Sequence, residues 1–205
     1  MTALSRSAEP IAQQQADLPL LFSPKRFEDT RGWFSETYND RVLRVRGIGC
    51  RFVQDNQSMS EKAGTIRGLH FQAPPMAQAK LVRVLRGTIL DIAVDLRRNS
   101  PTFGQSVSAE LSAENGHQLY VPTGFAHGFC TLEDRTEVLY KVSEYYSPAH
   151  EGGIRWDDPQ LAVSWPIDAA SIMVSAKDAE LPLLRQWTSP FPYSGTPLQP
   201  LTLVS

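Results

Sequence analysis

The sequence has few of the residues that build disulfide frameworks or local metal sites. Its two cysteines, Cys50 and Cys130, form neither a disulfide pattern nor a zinc-ligand pattern. It has four histidines, none in a His-x-His or His-x-x-x-His arrangement: His70, His117, His127 and His150. A metal site would therefore have to be assembled from distant positions. We expect free thiols, a reducing cytoplasmic location and no bound metal.

An excess of basic charge and long apolar runs are also missing. The formal net charge is -2 and the pI about 6.1, so the chain has no overall basic field to hold nucleic acid. No apolar stretch approaches the length of a membrane helix. The polar first 17 residues lack the apolar segment of a signal peptide. We expect neither nucleic-acid nor membrane binding, although a local cluster of Arg and Lys could hold a small anion.

The composition is that of an ordinary globular protein. Of the 205 residues, 41% are hydrophobic and 20% are charged, which fits one substantial domain. We predict a polar leader over residues 1–17, a single domain over residues 18–193 and a proline-rich tail over residues 194–205.

Short segments rich in aliphatic and aromatic residues alternate with Gly, Pro and Asn turn signals, which predicts a β-sandwich or barrel. Residues 88–96 alternate in the manner of a half-buried strand. A second predicted strand, residues 137–146, would place Tyr140 and Tyr146 on one face. Helical signals are weak before residue 170, and residues 176–187, interrupted by Pro182, predict one or two short turns.

Two histidines lie in apolar segments that contain glycine, residues 67–71 and 122–129. Glycine within a strand marks a bulge or a close approach of backbone to a ligand. The second segment, preceded by Gly116, resembles the second motif of the cupin barrels, although Thr131 stands where that motif usually ends in asparagine. The first cupin motif has two histidines and a glutamate, whereas residues 68–72 hold only His70. The resemblance implies a cupin barrel without its usual metal site.

Eight short stretches between residues 22 and 193 resemble, in order and spacing, those of the dTDP-4-dehydrorhamnose 3,5-epimerases. They are DTRGWFSE (29–36), QDNQS (54–58), IRGLHFQ (66–72), QAKLVR (78–83), DIAVD (91–95), SPTFG (100–104), AHGF (126–129) and LYK (139–141). Each is weak alone, but the ordered set is specific. The resemblance implies an all-β, antiparallel jelly-roll (cupin) barrel with short C-terminal helical turns. It also implies a homodimeric isomerase that inverts C3 and C5 of a dTDP-4-keto-6-deoxy sugar without a cofactor.

The same resemblance assigns four catalytic roles. His70 is the base, Asp178 orients it, Tyr140 is the acid on the opposite face, and Lys80 stabilises the enolate. The residues alone also allow other interpretations. Asp178 could cap a surface helix, Tyr140 could be a core residue that lines the barrel, and Lys80 could extend along the surface to water.

The resemblance also assigns the substrate-binding residues: Arg31, Phe34, Glu36, Gln54, Asn56, Arg67, Asp91, His127 and Tyr146. The arginines suit diphosphate oxygens, Phe34 could stack on thymine, and Glu36 could accept from its ring N–H. A solvated barrel rim is the alternative. Because Arg67 and His70 are three positions apart, a regular strand would place them on opposite faces. Either Gly68 lies in a bulge, or Arg67 serves another part of the site, such as a partner subunit's.

Three other functions stay open at this point. A related enzyme could invert only one carbon of a nucleotide sugar. A metal-dependent cupin is less favoured because His-x-His is missing. A sugar-binding cupin without activity is less favoured because His70, Lys80, Tyr140 and Asp178 are all present.

Overall fold

The computed structural model describes residues 16–161, 163–193 and 195–204, so the predicted leader up to residue 15 lies outside it. The strands are β1 Leu20–Phe22, β2 Arg26–Asp29, β3 Gly32–Ser35, β4 Gln54–Ser60, β5 Ile66–Gln72, β6 Lys80–Arg86, β7 Thr88–Asp95, β8 Ser106–Ser112, β9 Gln118–Val121, β10 Phe125–Thr131, β11 Thr136–Val142, β12 Glu151–Gly153 and β13 Leu203–Val204. The helices are α1 Asp40–Val45 and α2 Ala176–Ala179, with 3-10 turns at Ala169–Ser171 and Leu184–Gln186. No helix in this described part is long and apolar enough to cross a membrane.

Two sheets form the body of the protein, and the hairpin of β2 and β3 forms a separate two-stranded sheet. The first sheet has the strand order β13-β1-β9-β6-β11-β4, and the second has the order β12-β5-β10-β7-β8. Neighbouring strands are antiparallel except β1 and β13, which are parallel. The predicted all-β jelly roll with short C-terminal helical turns is confirmed.

Alternation along the strands places the main core between the two sheets. Val82 and Val138 point inward from the first sheet, and Ile89 and Phe129 meet them from the second. The same inward faces continue toward polar residues; Lys80, for example, is one alternation step from Val82. The barrel is therefore apolar at one end and polar at the other.

Further apolar clusters cover the outer faces of both sheets. The C-terminal segment packs Leu161, Leu184 and Phe191 against the second sheet. Leu43 of α1 and Ile48 pack against the first sheet. Burial on both faces holds the sheets rigidly around the polar end.

Three details differ from the sequence-based expectations. Helix α1 was not predicted, although Asn39 caps it by accepting hydrogen bonds from the Arg41 and Val42 amides. Strand β11 ends at Val142, so Tyr146 lies in a loop beyond the strand. The end of the expected tail, Leu203–Val204, pairs with β1; the domain boundaries themselves stay predictions.

A bulge in β5 explains how Arg67 and His70 serve one site. His70 pairs with His127 and Arg67 pairs with Phe129. Between these two pairs β5 advances by three residues and β10 by only two, which defines a bulge. Gly68 lies in the bulge with a φ of 128°. A Cβ atom on Gly68 would lie 2.6 Å from the Gly128 Cα, so no other residue fits without movement.

We expect Gly68→Ala to lower the free energy of unfolding by about 2 kcal/mol or more, because it adds a backbone clash to conformational strain. Urea unfolding of the purified variant measures this loss. Gly195→Ala is the matched control, since Gly195 has a φ of 114° but nothing within 4 Å of its would-be Cβ. Equal losses for the two variants would show that the Gly68–Gly128 contact is not the constraint.

Candidate active site

The polar end of the barrel opens into a cavity of about 480 Å³. Its lining residues are Ser58, Thr65, Ile66, Arg67, His70, Lys80, His127, Phe129, Tyr140, Glu151, Met173, Val174, Ser175, Lys177 and Asp178. An adjoining recess of about 130 Å³ shares His70, Lys80, Tyr140 and Glu151 with it. The four residues with predicted catalytic roles therefore face one space.

His70 and Asp178 form a hydrogen-bonded pair on one wall. The His70 Nε2 atom lies 2.8 Å from Asp178 Oδ1, and the Gly68 amide donates to Asp178 Oδ2 at 3.2 Å. Ser175 caps α2 by accepting from the Asp178 amide, so Asp178 belongs to the helix but is buried, at 4% exposure. Burial alone would raise the Asp178 pKa. The hydrogen bond from His70, with smaller effects of the His70 charge, the Gly68 amide and Ser175, brings the pKa below its ordinary value. The carboxylate must accept, so His70 carries a proton on Nε2, and the neutral form of the ring has its lone pair on Nδ1.

Tyr140 belongs to the opposite wall. It lies on β11, between Asn56 of β4 and Val82 of β6. Burial raises the pKa of its phenol, although the nearby charge of Arg67 acts in the other direction. The phenol is therefore protonated at neutral pH and can donate a proton.

Lys80 lies between the two walls and is not a surface lysine. It is 9% exposed, and its Nζ donates to the backbone oxygen of His70 at 3.3 Å, which joins the two sheets. Burial lowers the pKa of Lys80 to about 8, against the opposing charges of Asp91 and Glu151. At neutral pH the side chain is mainly an ammonium ion inside a cavity.

His127 and Asp91 form a second, deeper pair. The His127 Nε2 atom lies 2.7 Å from Asp91 Oδ1, and both side chains are buried. Burial lowers the pKa of His127, although Asp91 opposes this. The imidazole is therefore neutral at pH 7, with its Nε2 proton directed to Asp91.

The recess collects further residues that were predicted to bind the substrate. Gln54 donates to Asn56 at 2.8 Å and accepts from the Tyr146 amide at 3.2 Å. The Tyr146 ring is half exposed, and its hydroxyl donates to Glu151 at 2.8 Å. Together with Arg67, these groups form a polar rim with one available aromatic face.

Four predicted residues line neither the cavity nor its recess within the chain. One of them, Asp91, lies behind His127, and the other three lie elsewhere. Arg31 extends into solvent from the β2–β3 turn and pairs with Asp29. Phe34 is 69% exposed on β3. Glu36 lines a separate groove beside α1 and accepts from Asn39.

The cavity also contains residues that the sequence analysis missed. Glu151 accepts from Lys177 at 2.6 Å as well as from Tyr146. Although burial alone would raise the pKa of Glu151, these hydrogen bonds lower it. The sequence signal that could have indicated Glu151 is the Gly152–Gly153 pair that follows it. A Cβ on Gly153 would lie 2.5 Å from the Leu69 oxygen, so β12 can pack this closely against β5 only with glycine there.

In the described ranges no three His, Cys, Asp or Glu side chains are grouped so that they could hold a metal ion. The predicted independence from metal and cofactor stays a prediction.

Comparison with known proteins decides the family. The family model described as dTDP-4-dehydrorhamnose 3,5-epimerase matches residues 16–186. The chain belongs to this family. The resemblance predicted from the short motifs is thereby confirmed.

Individual members of the dTDP-4-dehydrorhamnose 3,5-epimerase family are similar over most of the chain. The enzyme of Sinorhizobium fredii is 49% identical over 84% of this chain and 88% of its own length. The Bacillus anthracis structure with TDP and PPi bound is 54% identical, with a TM-score of 0.78 over 81% of this chain and 94% of that one. The Legionella pneumophila structure in complex with dTDP-4-keto-L-rhamnose is 44% identical, with a TM-score of 0.79 over 85% and 92%.

The His70–Asp178 pair should make stability depend on pH at the acid end. Because the Asp178 pKa is lowered in the folded chain, its stabilisation is complete above the ordinary value of 3.8 and is lost as pH falls through the folded value. We expect Asp178→Asn to cost about 1–3 kcal/mol of unfolding free energy at pH 7 and clearly less near pH 3. Urea unfolding at both pH values measures this, with the exposed Asp157→Asn as control. A cost that is the same at both pH values would contradict the assignment.

Proposed function

We propose that this protein inverts C3 and C5 of a dTDP-4-keto-6-deoxyhexose by proton removal and return through an enolate. Membership of the epimerase family supports the substrate class. The observation that carries the mechanism is the placement of a histidine base and a tyrosine acid in one cavity, on different sheets. His70 lies on β5 of one sheet and Tyr140 on β11 of the other. Inversion requires this arrangement, because the proton leaves one face of the carbon and returns to the other.

The first step uses the lone pair on His70 Nδ1. C3 and C5 both lie next to the C4 ketone, so loss of either proton gives an enolate with its charge on O4. A ketone α-proton is far less acidic than imidazolium, and each pKa unit of mismatch costs about 1.4 kcal/mol. The Lys80 ammonium narrows that gap, because a buried cation beside O4 favours the charged enolate.

The second step uses Tyr140. Its phenol delivers a proton to the opposite face of the carbon, and the phenolate is protonated again from solvent, while His70 loses its proton to solvent. No electrons are gained or lost, so the reaction balances without a redox cofactor. The recess with Gln54, Asn56 and Tyr146 would receive the nucleotide, with Arg67 at the diphosphate.

The proposed assembly is a homodimer in which each β2–β3 hairpin completes the partner's cavity. Phe27, Trp33 and Phe34 of the hairpin are each more than half exposed, which is unusual for three neighbouring aromatics unless another surface covers them. Arg31 has 88% of its side chain exposed beside them. A partner's hairpin would supply this cation and the Phe34 ring to the nucleotide.

A cytoplasmic location is part of the same proposal. Both cysteines, Cys50 and Cys130, are free thiols, as is usual in a reducing compartment.

The decisive measurement of activity is proton NMR of dTDP-4-keto-6-deoxyglucose with the protein in deuterated water. We expect deuterium at C3 and C5. Label at one carbon would indicate a single-carbon epimerase, and no label would overturn the proposal. His70→Ala should abolish exchange at both carbons while dTDP binding persists. His117→Ala, which changes a histidine outside the cavity, is the control and should exchange normally.

The hairpin proposal is tested by mixing two inactive variants. If His70 and Arg31 of one site come from different subunits, His70→Ala and Arg31→Ala chains should form mixed dimers with one intact site. After unfolding and refolding together in equal amounts, about a quarter of the sites should be active. If both residues come from one chain, the mixture should be no more active than its components.

A further inference from the structure

Glu151 binds one donor from the cavity and one from the adjoining recess. Its Oε2 atom accepts from the Tyr146 hydroxyl at 2.8 Å and from Lys177 Nζ at 2.6 Å. Glu151 lines both spaces, whereas Lys177 lines only the cavity and Tyr146 only the recess. The carboxylate therefore lies at the boundary of the two spaces and connects a residue of one to a residue of the other.

The bond to Glu151 fixes the far end of the Tyr146 side chain. At the backbone end, the Tyr146 amide donates to Gln54, which lies on β4 of the first sheet. At the hydroxyl end, the ring donates to Glu151 on β12 of the second sheet. All three residues line the recess, so Tyr146 links the two sheets across it. With the backbone bond alone the ring would be free to change rotamer, so the hydroxyl bond selects one position.

The Glu151 side chain is itself held in place. The next residue of its strand is Gly152, where a Cβ atom would lie 2.6 Å from the Phe71 ring of β5, so β12 packs tightly against its neighbour. Lys177 then holds the carboxylate through an ion pair. Glu151 thus presents a fixed acceptor to the Tyr146 hydroxyl.

The cation that holds Glu151 comes from the helix that also carries the partner of His70. Lys177 and Asp178 are neighbours on α2, and Asp178 binds His70. An exposed ion pair contributes little to stability, because solvent screens it and two side chains lose freedom. The Lys177 side chain is 60% exposed. The ion pair is therefore better explained by what it positions than by the stability that it adds.

We propose that Glu151 is a positioning residue that holds the Tyr146 ring at the rim of the recess in the orientation that receives the nucleotide. This inference rests on the proposed function, which places the nucleotide in the recess. Glu151 acts through the Tyr146 hydroxyl, so its contribution belongs to nucleotide binding and precedes the chemical steps. Loss of the bond lowers the fraction of molecules whose ring is in place, and the apparent affinity falls by that fraction.

The test measures dTDP affinity by titration calorimetry in a double-mutant cycle. Tyr146→Phe should weaken dTDP binding by about 3–10-fold, which corresponds to the net contribution of one hydrogen bond. In a Glu151→Ala background the same change should have no effect, because the hydroxyl has no acceptor there. Comparison within each background cancels the effect of the lost Glu151 charge on an anionic ligand. An equal loss in both backgrounds would overturn the proposal.

Tyr145→Phe is the matched control. It changes the neighbouring exposed tyrosine, which lines neither the cavity nor the recess, and it should leave dTDP affinity unchanged in both backgrounds. Tyr146→Phe removes a single oxygen from a half-exposed ring, so it keeps the test decisive even if Glu151→Ala does not fold. Unchanged dTDP affinity in Tyr146→Phe alone would contradict the proposal.

Steady-state kinetics distinguish positioning from chemistry. Tyr146→Phe should raise KM for the dTDP-4-keto-6-deoxy sugar by a factor similar to the loss of dTDP affinity and leave kcat unchanged, because it removes binding that substrate and transition state share. A fall in kcat at unchanged KM would place the hydroxyl in the chemical steps and overturn the positioning role.

A further measurement needs no ligand. The hydrogen bond to Glu151 raises the pKa of the Tyr146 phenol, so this pKa should be lower in Glu151→Ala than in the wild-type protein. NMR titration of protein with 13C-labelled tyrosine measures it, with the signal assigned by Tyr146→Phe, and an unchanged titration would overturn the proposal. If wild-type protein does not bind dTDP, the proposed function and this role fail together. Normal dTDP binding with equal losses in both backgrounds would refute this role alone.

Discussion

The contact between Gly68 and Gly128 is the constraint on which the arrangement of the active site depends. These two backbones approach so closely that a Cβ on Gly68 would overlap the Gly128 Cα. The extra residue that β5 holds at this point turns Arg67 and His70 toward the same cavity. The Gly68 amide also donates to Asp178. One backbone irregularity therefore places the predicted base His70, the Asp178 carboxylate bound to it and a cation predicted to bind phosphate.

Charge balance is the second condition that the fold has to satisfy. Asp91, Asp178 and Lys80 are all buried at the polar end of the barrel, where an uncompensated charge would be very unfavourable. Each carboxylate has a histidine as its hydrogen-bond partner, and Lys80 bonds to the His70 backbone. The groups proposed to serve the reaction thus also stabilise one another, so changes at one of them are expected to affect several.

The sequence predicted the sheets better than it predicted the assembly of the site. Alternation in β7 and the helical turns after residue 170 were visible because they depend on local pattern. Glu151 was missed because β12 has only three residues, Glu151–Gly153, too few to show alternation, and its position is set by pairing with β5. Helix α1 was missed because six residues carry too little periodicity. For Arg31, sequence similarity assigns a role at the site but does not tell whether the chain brings the residue to its own cavity.

The sandwich architecture itself accounts for inversion. A shared core fixes the separation of the two sheets; it contains Val82, Val138, Ile89 and Phe129. His70 lies on one of these sheets and Tyr140 on the other. A base and an acid on facing walls cannot both reach the same face of a bound ring. In the proposed mechanism, proton return therefore occurs on the face opposite to removal, provided that the wall spacing admits the sugar and excludes bulk water from the enolate. The hydrogen bond from Lys80 to the His70 backbone joins the two sheets. The side chain that helps to set their spacing is therefore also the one proposed to stabilise the enolate.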